Sequence, residues 1–393
     1  MICSHLRADI LYILRCVITP FIKLIPKKNN LVVFTSWFGE KYIDNTKYLY
    51  EYLLLDSKYD VYWITKNKDV YAFLKDKKYP VVMFSSLRAL YLQLRARACF
   101  STVQFSDFNT WLVCNTIYID LGHGNMIKDP GSILVNKHSQ RVQNFLLNNL
   151  KYYAIVPSTF AKHYYKQIVP VNDNNIFISD FARNDVFIDA QLRKDKNTIV
   201  EAIGKGKRRI LYMPTHRSDG KVRFDLEQIL PLDLIESLCL KTGSVFIVKK
   251  HFYHRNEQVD LSKYSCIFDI TNEDSIDPQV LLYQADLLVT DYSSCFIDYL
   301  LLHRPIIFFQ FDYNYYVNKE RSLFIDFKKE NFAPVTYTKS DFVSSLSKVL
   351  ECGFSEYKDN YDRIVSMFFD NPYQSGGRAK DKDILDALLI GQK

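Results

Sequence analysis

The sequence predicts an α/β protein built from two doubly wound domains, on three observations. Short apolar runs alternate with helical patterns along nearly the whole chain, as parallel βαβ units require. At 393 residues the chain is long for a single core. A charged passage over 193–209, carrying Lys194, Lys196, Lys205, Lys207 and Arg208, separates two such alternating sets.

Taken in order, residues 10–25 are rich in Leu, Ile, Val and Phe but are interrupted by Arg15, Pro20 and Lys23 and closed by Lys27 and Lys28. That is too short and too charged for a spanning helix, which needs roughly 20 predominantly apolar residues. No small-residue cleavage site follows, which counts against a secretory signal. Two readings stay open for residues 1–29: a helix packed on the first domain, or a basic, apolar segment lying on an anionic membrane surface. The cluster Arg7, Arg15, Lys23, Lys27 and Lys28 favours the second. The first domain, 30–190, has strand candidates at 31–35, 61–64, 81–84, 98–101, 116–119, 152–156 and 176–178, with helical patterns such as 46–55 and 160–167 between them. The second, 191–375, has strands at 210–213, 244–248, 287–289 and 306–309 and helices at 226–240 and 296–302. Further helices are expected at 340–350 and 357–368. A C-terminal helix within 376–393, with its pattern at 380–389, is expected to pack back across the domains, which are read as facing each other across a cleft.

Composition narrows the class. Hydrophobic residues make up 48% of the chain, with 28 Tyr and 28 Phe, enough for a packed interior. The net charge of +7 is modest for this length, so it suits an anionic ligand or membrane surface without pointing to nucleic acid. Eight scattered cysteines show no paired short spacing, which argues against a zinc site or disulfide scaffold and suits a reducing cytoplasm.

The chemical candidates fall where strands end, the edge at which open α/β sheets bind ligands. The fullest is 285–312, a strand, a turn with Asp291, Ser293 and Ser294, a helix and another strand. Hydroxyls at a helix start can hold an anion or simply cap the helix. His123 lies between Gly122 and Gly124 after the strand at 116–119, where flanking glycines permit a sharp turn that presents the imidazole. Lys249, Lys250 and His251 follow 244–248. His251 and His254 have the spacing of a metal pair, but no third ligand is evident nearby, so a phosphate contact is preferred. Thr215 and Arg217 follow 210–213, and Arg183 follows 176–178. Either arginine can make paired hydrogen bonds to phosphate or form a structural salt bridge, with Asp185 the natural partner of Arg183.

These motifs, in this order, resemble the CDP-glycerol glycerophosphotransferase family, which makes teichoic acids and related capsule polymers. The resemblance spans roughly 31–389. It rests on His123-Gly124 with Lys128, Pro157-Ser158-Thr159-Phe160, Arg183-Asn184-Asp185, Pro214-Thr215-His216-Arg217 and Lys250-His251. Above all it rests on the run from Asp286 to Ser294, with Phe296, Asp298, Arg304-Pro305-Ile306-Ile307-Phe308 and Asp312 in register. The chain departs from the family pattern at Gly122 (usually Trp), Asn125-Met126-Ile127 (Thr-Pro-Leu), Phe252 (Pro), Asp180 and Ala182 (Gly and Pro) and Ser322 (Gly), none of which removes a charged or nucleophilic group.

The resemblance implies two Rossmann-like domains in a GT-B-like arrangement, with the acceptor on the first and the nucleotide on the second. It implies transfer of a polyol phosphate from CDP-glycerol or CDP-ribitol to a lipid-linked or polymer acceptor, with release of CMP. His123 is the expected base. His251, Arg217, Thr215, Ser293 and Ser294 are expected at the donor phosphates. Asp291 is expected to orient the turn or a ligand hydroxyl, because a free carboxylate beside phosphates repels them. Asn45, Lys128 and Arg183 are candidates for acceptor contact or orientation, Asn45 equally for a helix cap. No cofactor is required by the resemblance, no carboxylate cluster is evident to hold a metal, and Mg2+ stays an open option. The expected location is the cytoplasmic face of a bacterial membrane. A sugar-nucleotide glycosyltransferase of the same architecture and a membrane-docked scaffold with a decayed site are the alternatives.

Overall fold

The computed structural model describes residues 2–124, 127–128, 137–193, 203–217, 224–257, 259–273, 276–320, 322–372 and 376–391. Most of the charged passage, together with Asn125, Met126 and Arg321, lies outside them. The chain divides into two compact units. One comprises Met1–His123, Pro130–Asp185 and Gln374–Lys393, the other Gly124–Asp129 and Val186–Tyr373. The first domain therefore closes at Asp185 rather than 190. The segment after His123 belongs to the second unit, where Phe324 N donates to Ile127 O at 2.9 Å.

The first unit holds a seven-stranded, all-parallel sheet. Its strands are β1 (Lys28–Phe34), β2 (Asp60–Thr65), β3 (Val81–Met83), β4 (Ala96–Ser101), β5 (Ile117–Asp120), β6 (Lys151–Val156) and β7 (Ile176–Ile178), in the order β3-β2-β1-β4-β5-β6-β7. Each expected strand is present, within a few residues of its sequence bounds. Residues Leu31 to Phe34 and Ala98 to Phe100 are wholly buried, because helices cover both faces of a parallel sheet. The helices begin where polar side chains meet free N–H groups: Asn67 caps Lys68–Asp76, Ser86 caps Leu87–Arg95 and Ser158 caps Thr159–Ile168.

The second unit repeats the plan with β8 (Arg208–Tyr212), β9 (Ser244–Val248), β10 (Ile267–Asp269), β11 (Leu287–Thr290), β12 (Ile306–Phe309) and β13 (Val335–Thr336), ordered β10-β9-β8-β11-β12-β13 and all parallel. Strands β10 and β13 were not foreseen, being three and two residues long at the sheet edges. The helix expected at 226–240 is two helices, Leu226–Ile229 and Leu232–Thr242, because Pro231 at the joint has no N–H to continue the first. In both sheets the order reverses beside one strand, β1 or β8, which creates a switch point where loops diverge and leave room for a ligand.

Residues Ile2–Lys23 form a helix that packs on the first unit. Tyr12 meets Phe145 edge-on, Arg15 lies over the Trp111 ring, and Thr19 and Ile22 are buried. Of the basic cluster read from the sequence, the Arg7 side chain lies outside the described residues, Lys23 is exposed, and Arg15, Lys27 and Lys28 have partners within the unit. Lys27 Nζ donates to Leu94 O at 2.9 Å, and burial lowers its pKa to about 8. Lys28 pairs with Asp60.

The C-terminal helix, Gly377–Ile390, belongs to the first unit, packing on Asp44–Leu53. Its start is held by Asp185, whose Oδ1 accepts from Gly377 N at 2.7 Å while Oδ2 accepts from Arg378 Nε at 2.7 Å, a carboxylate placed where the helix dipole favours it. Glycine is needed at 377, since a Cβ there would stand 2.5 Å from Asp180 O. On the same helix Asp381 is buried, which pushes its carboxyl well up, reinforced by Asp185 and Asp180 and opposed by Ser179. A raised folded pKa contributes stability that is complete below the unfolded value of about 3.9 and is lost as pH rises toward the folded one. Asp381→Asn, which mimics the protonated acid, is therefore expected to gain Tm relative to the parent as pH is raised from 4 to 8. A difference in Tm that stays constant across that range would refute the buried protonated acid.

Candidate functional site

In the first unit, the loops after β1, β4 and β5 converge on His123. Strand β5 ends at Asp120, whose buried carboxylate accepts from Gly122 N at 3.1 Å and from Tyr165 Oη at 2.6 Å, with Tyr152 Oη at 3.2 Å. Burial raises the Asp120 pKa, while the Tyr165 and Gly122 hydrogen bonds hold it down. This anchors the turn in which Gly122 takes φ 61°, a left-handed angle at which glycine carries no Cβ penalty. His123 then emerges exposed, with Nδ1 2.8 Å from Thr102 O. A carbonyl only accepts, so Nδ1 carries the proton. In the neutral ring Nε2 is therefore the unprotonated nitrogen, as a general base requires.

Asp107, which the sequence reading missed, fixes that carbonyl. Its Oδ2 accepts from Thr102 N at 2.7 Å and Val103 N at 2.9 Å, and its Oδ1 accepts from Phe38 N at 2.6 Å. Asn45 is neither a cap nor an open polar group. The helix Asp44–Leu53 starts without a side-chain cap, and Asn45, 1% exposed, donates to Leu121 O and Gly122 O and accepts from Arg183 N. It thus straps the His123 turn to the loop after β7. Arg183 pairs with Asp44, not Asp185, so the expected Arg183–Asp185 bridge gives way to Arg183–Asp44 and Asp185–Arg378.

In the second unit, the loops after β8, β9, β11 and β12 meet at the switch point. Arg217 is 2% exposed and bonded on every side: Nε to Asp312 Oδ2 at 2.7 Å, Nη1 to Thr215 O at 2.6 Å, and Nη2 to Asp291 Oδ2 at 2.8 Å and Asp312 Oδ1 at 3.0 Å. Burial alone would lower its pKa, but Asp291 and Asp312 outweigh that and raise it. With four of five N–H groups committed, the expected fork toward phosphate is not on offer, and Arg217 serves instead to tie three loops together. Asp291 is equally sealed, its Oδ1 accepting from Thr215 N at 2.8 Å and Tyr292 N at 2.5 Å. These bonds tie the turn to the loop after β8. The two lysines before His251 are also structural: Lys249 Nζ donates to three carbonyls after β10, and Lys250 Nζ lies 3.2 Å from Asp269.

The remaining polar groups at the switch point are hydroxyls and imidazoles. Thr215 Oγ1 is buried without a hydrogen-bond partner among the described residues, which marks a polar atom still needing one. Ser293 and Ser294 are half-buried at the turn, Ser293 Oγ accepting from Cys295 N at 3.4 Å and Ser294 making no cap bond. The helix they precede, Cys295–Leu300, is only six residues long, a smaller dipole than the sequence suggested. His251 Nδ1 accepts from Tyr253 N at 3.4 Å, so the neutral ring carries its proton on Nε2 and donates there. His216, overlooked in the sequence, lies against it with ring centres 4.4 Å apart and planes tilted by 38°. Lys128, expected with the acceptor, lies in the second unit over Tyr316, which stacks on Tyr292 beside Ser293.

His254 is buried 3.0 Å from Glu257 Oε2, and among the described residues no group of three His, Cys, Asp or Glu could hold a metal ion. The carboxylates nearest the switch point do not fit Mg2+, because Asp291 and Asp312 already face the Arg217 guanidinium.

Residues 18–383 match the family model described as CDP-Glycerol:Poly(glycerophosphate) glycerophosphotransferase. The chain is 28% identical over 381 residues to the teichoic acid poly(glycerol phosphate) polymerase of Bacillus subtilis (strain 168), covering 91% of this chain but only 48% of that protein. It is 27% identical over 391 residues to the same-named polymerase of Bacillus spizizenii, covering 94% of each. It therefore spans about half of one relative and nearly all of another. Among solved structures it shares the fold of the wall teichoic acid polymerase TagF, with a TM-score of 0.77, 21% identity and 99% of each chain covered.

If Arg217 is a structural tie, Arg217→Met leaves two buried carboxylates facing each other, and unfolding in urea should show a loss of about 3–5 kcal/mol. A variant as stable as the parent would return Arg217 to a ligand-binding role.

Proposed function

Because the chain belongs to the CDP-glycerol:poly(glycerophosphate) glycerophosphotransferase family, we propose that it transfers a polyol phosphate from a CDP-polyol to a hydroxyl of a teichoic-acid-like or capsular acceptor. The observation that supports this most directly is the His123 tautomer, with Nδ1 held by Thr102 O and Nε2 left basic. The acceptor oxygen attacks the phosphorus that bears the polyol, and its proton passes to His123 Nε2. A new phosphodiester bond forms as the bond to the CMP phosphate breaks, and CMP leaves with the electron pair.

Charge builds on that leaving phosphate, so donors already in place favour the transition state over the ground state. In the second unit Thr215 Oγ1, Ser293, Ser294 and the His251 Nε2–H supply donors, with Lys128 and His216 adding cationic capacity nearby. Arg217 offsets one of the two carboxylate charges of Asp291 and Asp312, which lessens their repulsion of the phosphates. No step is routed through a metal. His123→Ala is expected to lower turnover by ~10²–10⁴ while CDP-polyol still binds. The assay is CMP release from CDP-glycerol and CDP-ribitol with membrane-extracted acceptor, read by product mass. Undiminished turnover would remove His123 from the base role, and UDP release with a sugar-sized mass gain would move the protein to the glycosyltransferase reading.

We further propose a peripheral position on the cytoplasmic membrane face, where a lipid-linked acceptor is reached. The support has shifted from charge to apolar exposure. Ile13, Val17 and Phe21 recur at helical spacing on the outer side of the first helix and Leu24 follows its end, with Phe21 69% and Leu24 80% exposed. No helix among the described residues is long and apolar enough to cross a membrane, so this face suits lying on one. Phe21→Ser should weaken cosedimentation with anionic vesicles about tenfold, and partition equal to the parent would sink the anchor.

A further inference from the structure

Two aromatic residues beside His123 are not accounted for by proton transfer. Trp37 and Phe38 follow β1, and both hold left-handed backbone angles, φ 48° and 60°, that bulky L-residues rarely adopt. The conformation is held from several sides. Thr102 Oγ1 accepts from Trp37 N at 3.1 Å, Asp107 Oδ1 accepts from Phe38 N at 2.6 Å, and Asp44 Oδ2 accepts from the Trp37 indole N–H at 2.8 Å. Asp44 is itself at φ 71°. Core packing does not require this arrangement, since Phe38 remains 47% exposed and Trp37 half-buried. Strained residues held by a surrounding network concentrate at ligand sites, and this pair adjoins the base: the Trp37 ring centre lies 5.1 Å from that of His123.

We infer that Trp37 and Phe38 form the acceptor subsite, taking the apolar C–H face of a polyhydroxylated ring or chain and holding its hydroxyl at His123 Nε2. The inference rests on the transferase reading above and names the part of the substrate that this loop recognises. The indole N–H is committed to Asp44, so Trp37 offers a ligand its ring face rather than a hydrogen bond. An aromatic face is electron-rich: it attracts polarised C–H groups and disfavours an anion. The subsite therefore selects the uncharged terminal unit of the acceptor over the phosphodiester behind it. Holding that unit against His123 converts a bimolecular encounter into a positioned attack.

Binding can be read without turnover. The chain has three tryptophans, of which Trp63 is fully buried, so ligand-dependent emission should come chiefly from Trp37. Methyl N-acetylglucosaminide and glycerol, both uncharged, are the probes, one a sugar face and the other a polyol chain end. At least one should change the emission of the parent, and Trp37→Phe should abolish the change. The stronger probe identifies the source of the C–H face. No response to either probe, or a response that survives in Trp37→Phe, overturns the subsite.

In the CMP-release assay, Phe38→Ala should raise the acceptor KM by about tenfold, with the donor KM moving less than twofold, and Phe38→Tyr should restore it. An acceptor KM unchanged in Phe38→Ala also overturns the subsite. A parent protein that releases no CMP would remove the transferase reading instead, and the emission titration would still decide the subsite.

Discussion

The second unit depends on one buried ion cluster, Arg217 between Asp291 and Asp312. A guanidinium withdrawn from water is tolerable only if nearly all its N–H groups are paired, and here four of five are. Each partner belongs to a different strand end, β8, β11 or β12, so the cluster fixes three loops at once. Tyr292, Tyr316, Phe224 and Phe311 surround the guanidinium at 5.0–5.9 Å, which excludes water and strengthens the pairing. A cluster this committed orders the switch point, and ligand contact passes to the hydroxyls and imidazoles on its rim.

The first unit reaches the same end with carboxylates and no buried arginine at the centre. Asp120 holds the turn before His123, Asp107 holds the carbonyl that sets its tautomer, and Asn45 binds the turn to the loop after β7. These bonds run between backbone and a short side chain, an arrangement with little rotamer freedom to lose, and Tyr165 and Tyr152 add side-chain bonds to Asp120. His123 itself stays exposed. The division of labour is therefore alike in both units: acids and the amide build the frame, and groups able to exchange protons or donate hydrogen bonds stand outside it.

Much of this was legible from residue order. Strands as apolar as 244–248 and 306–309 are read directly, because a sheet covered on both faces must be apolar throughout. His123 could be picked out because flanking glycines have few other reasons to surround a histidine at a strand end. Edge strands β10 and β13 were illegible, since at two or three residues they owe their conformation to the neighbours they pair with. Asp107 was harder to read: Thr102 and Val103 precede it in the same loop after β4, but Phe38 comes from the loop after β1. His216 sat inside a recognised motif but at its variable position, and only its contact with His251 shows its place.

The sequence by itself determined the α/β class, the two alternating sets, the family resemblance and the strand ends at which chemistry gathers, because periodicity and motif order are local properties. Tertiary structure alone decided which charges remain for a ligand. Arg217 reads as a donor-phosphate contact and Arg183 as an acceptor or orienting contact, yet each is satisfied by a carboxylate brought in from elsewhere in the chain, and Lys249 and Lys250 beside His251 are met by carbonyls and Asp269. Whether a charged side chain binds substrate or holds the fold depends on what stands within about 3 Å of it. That distance is set by strands that are neighbours in the sheet and far apart in the sequence.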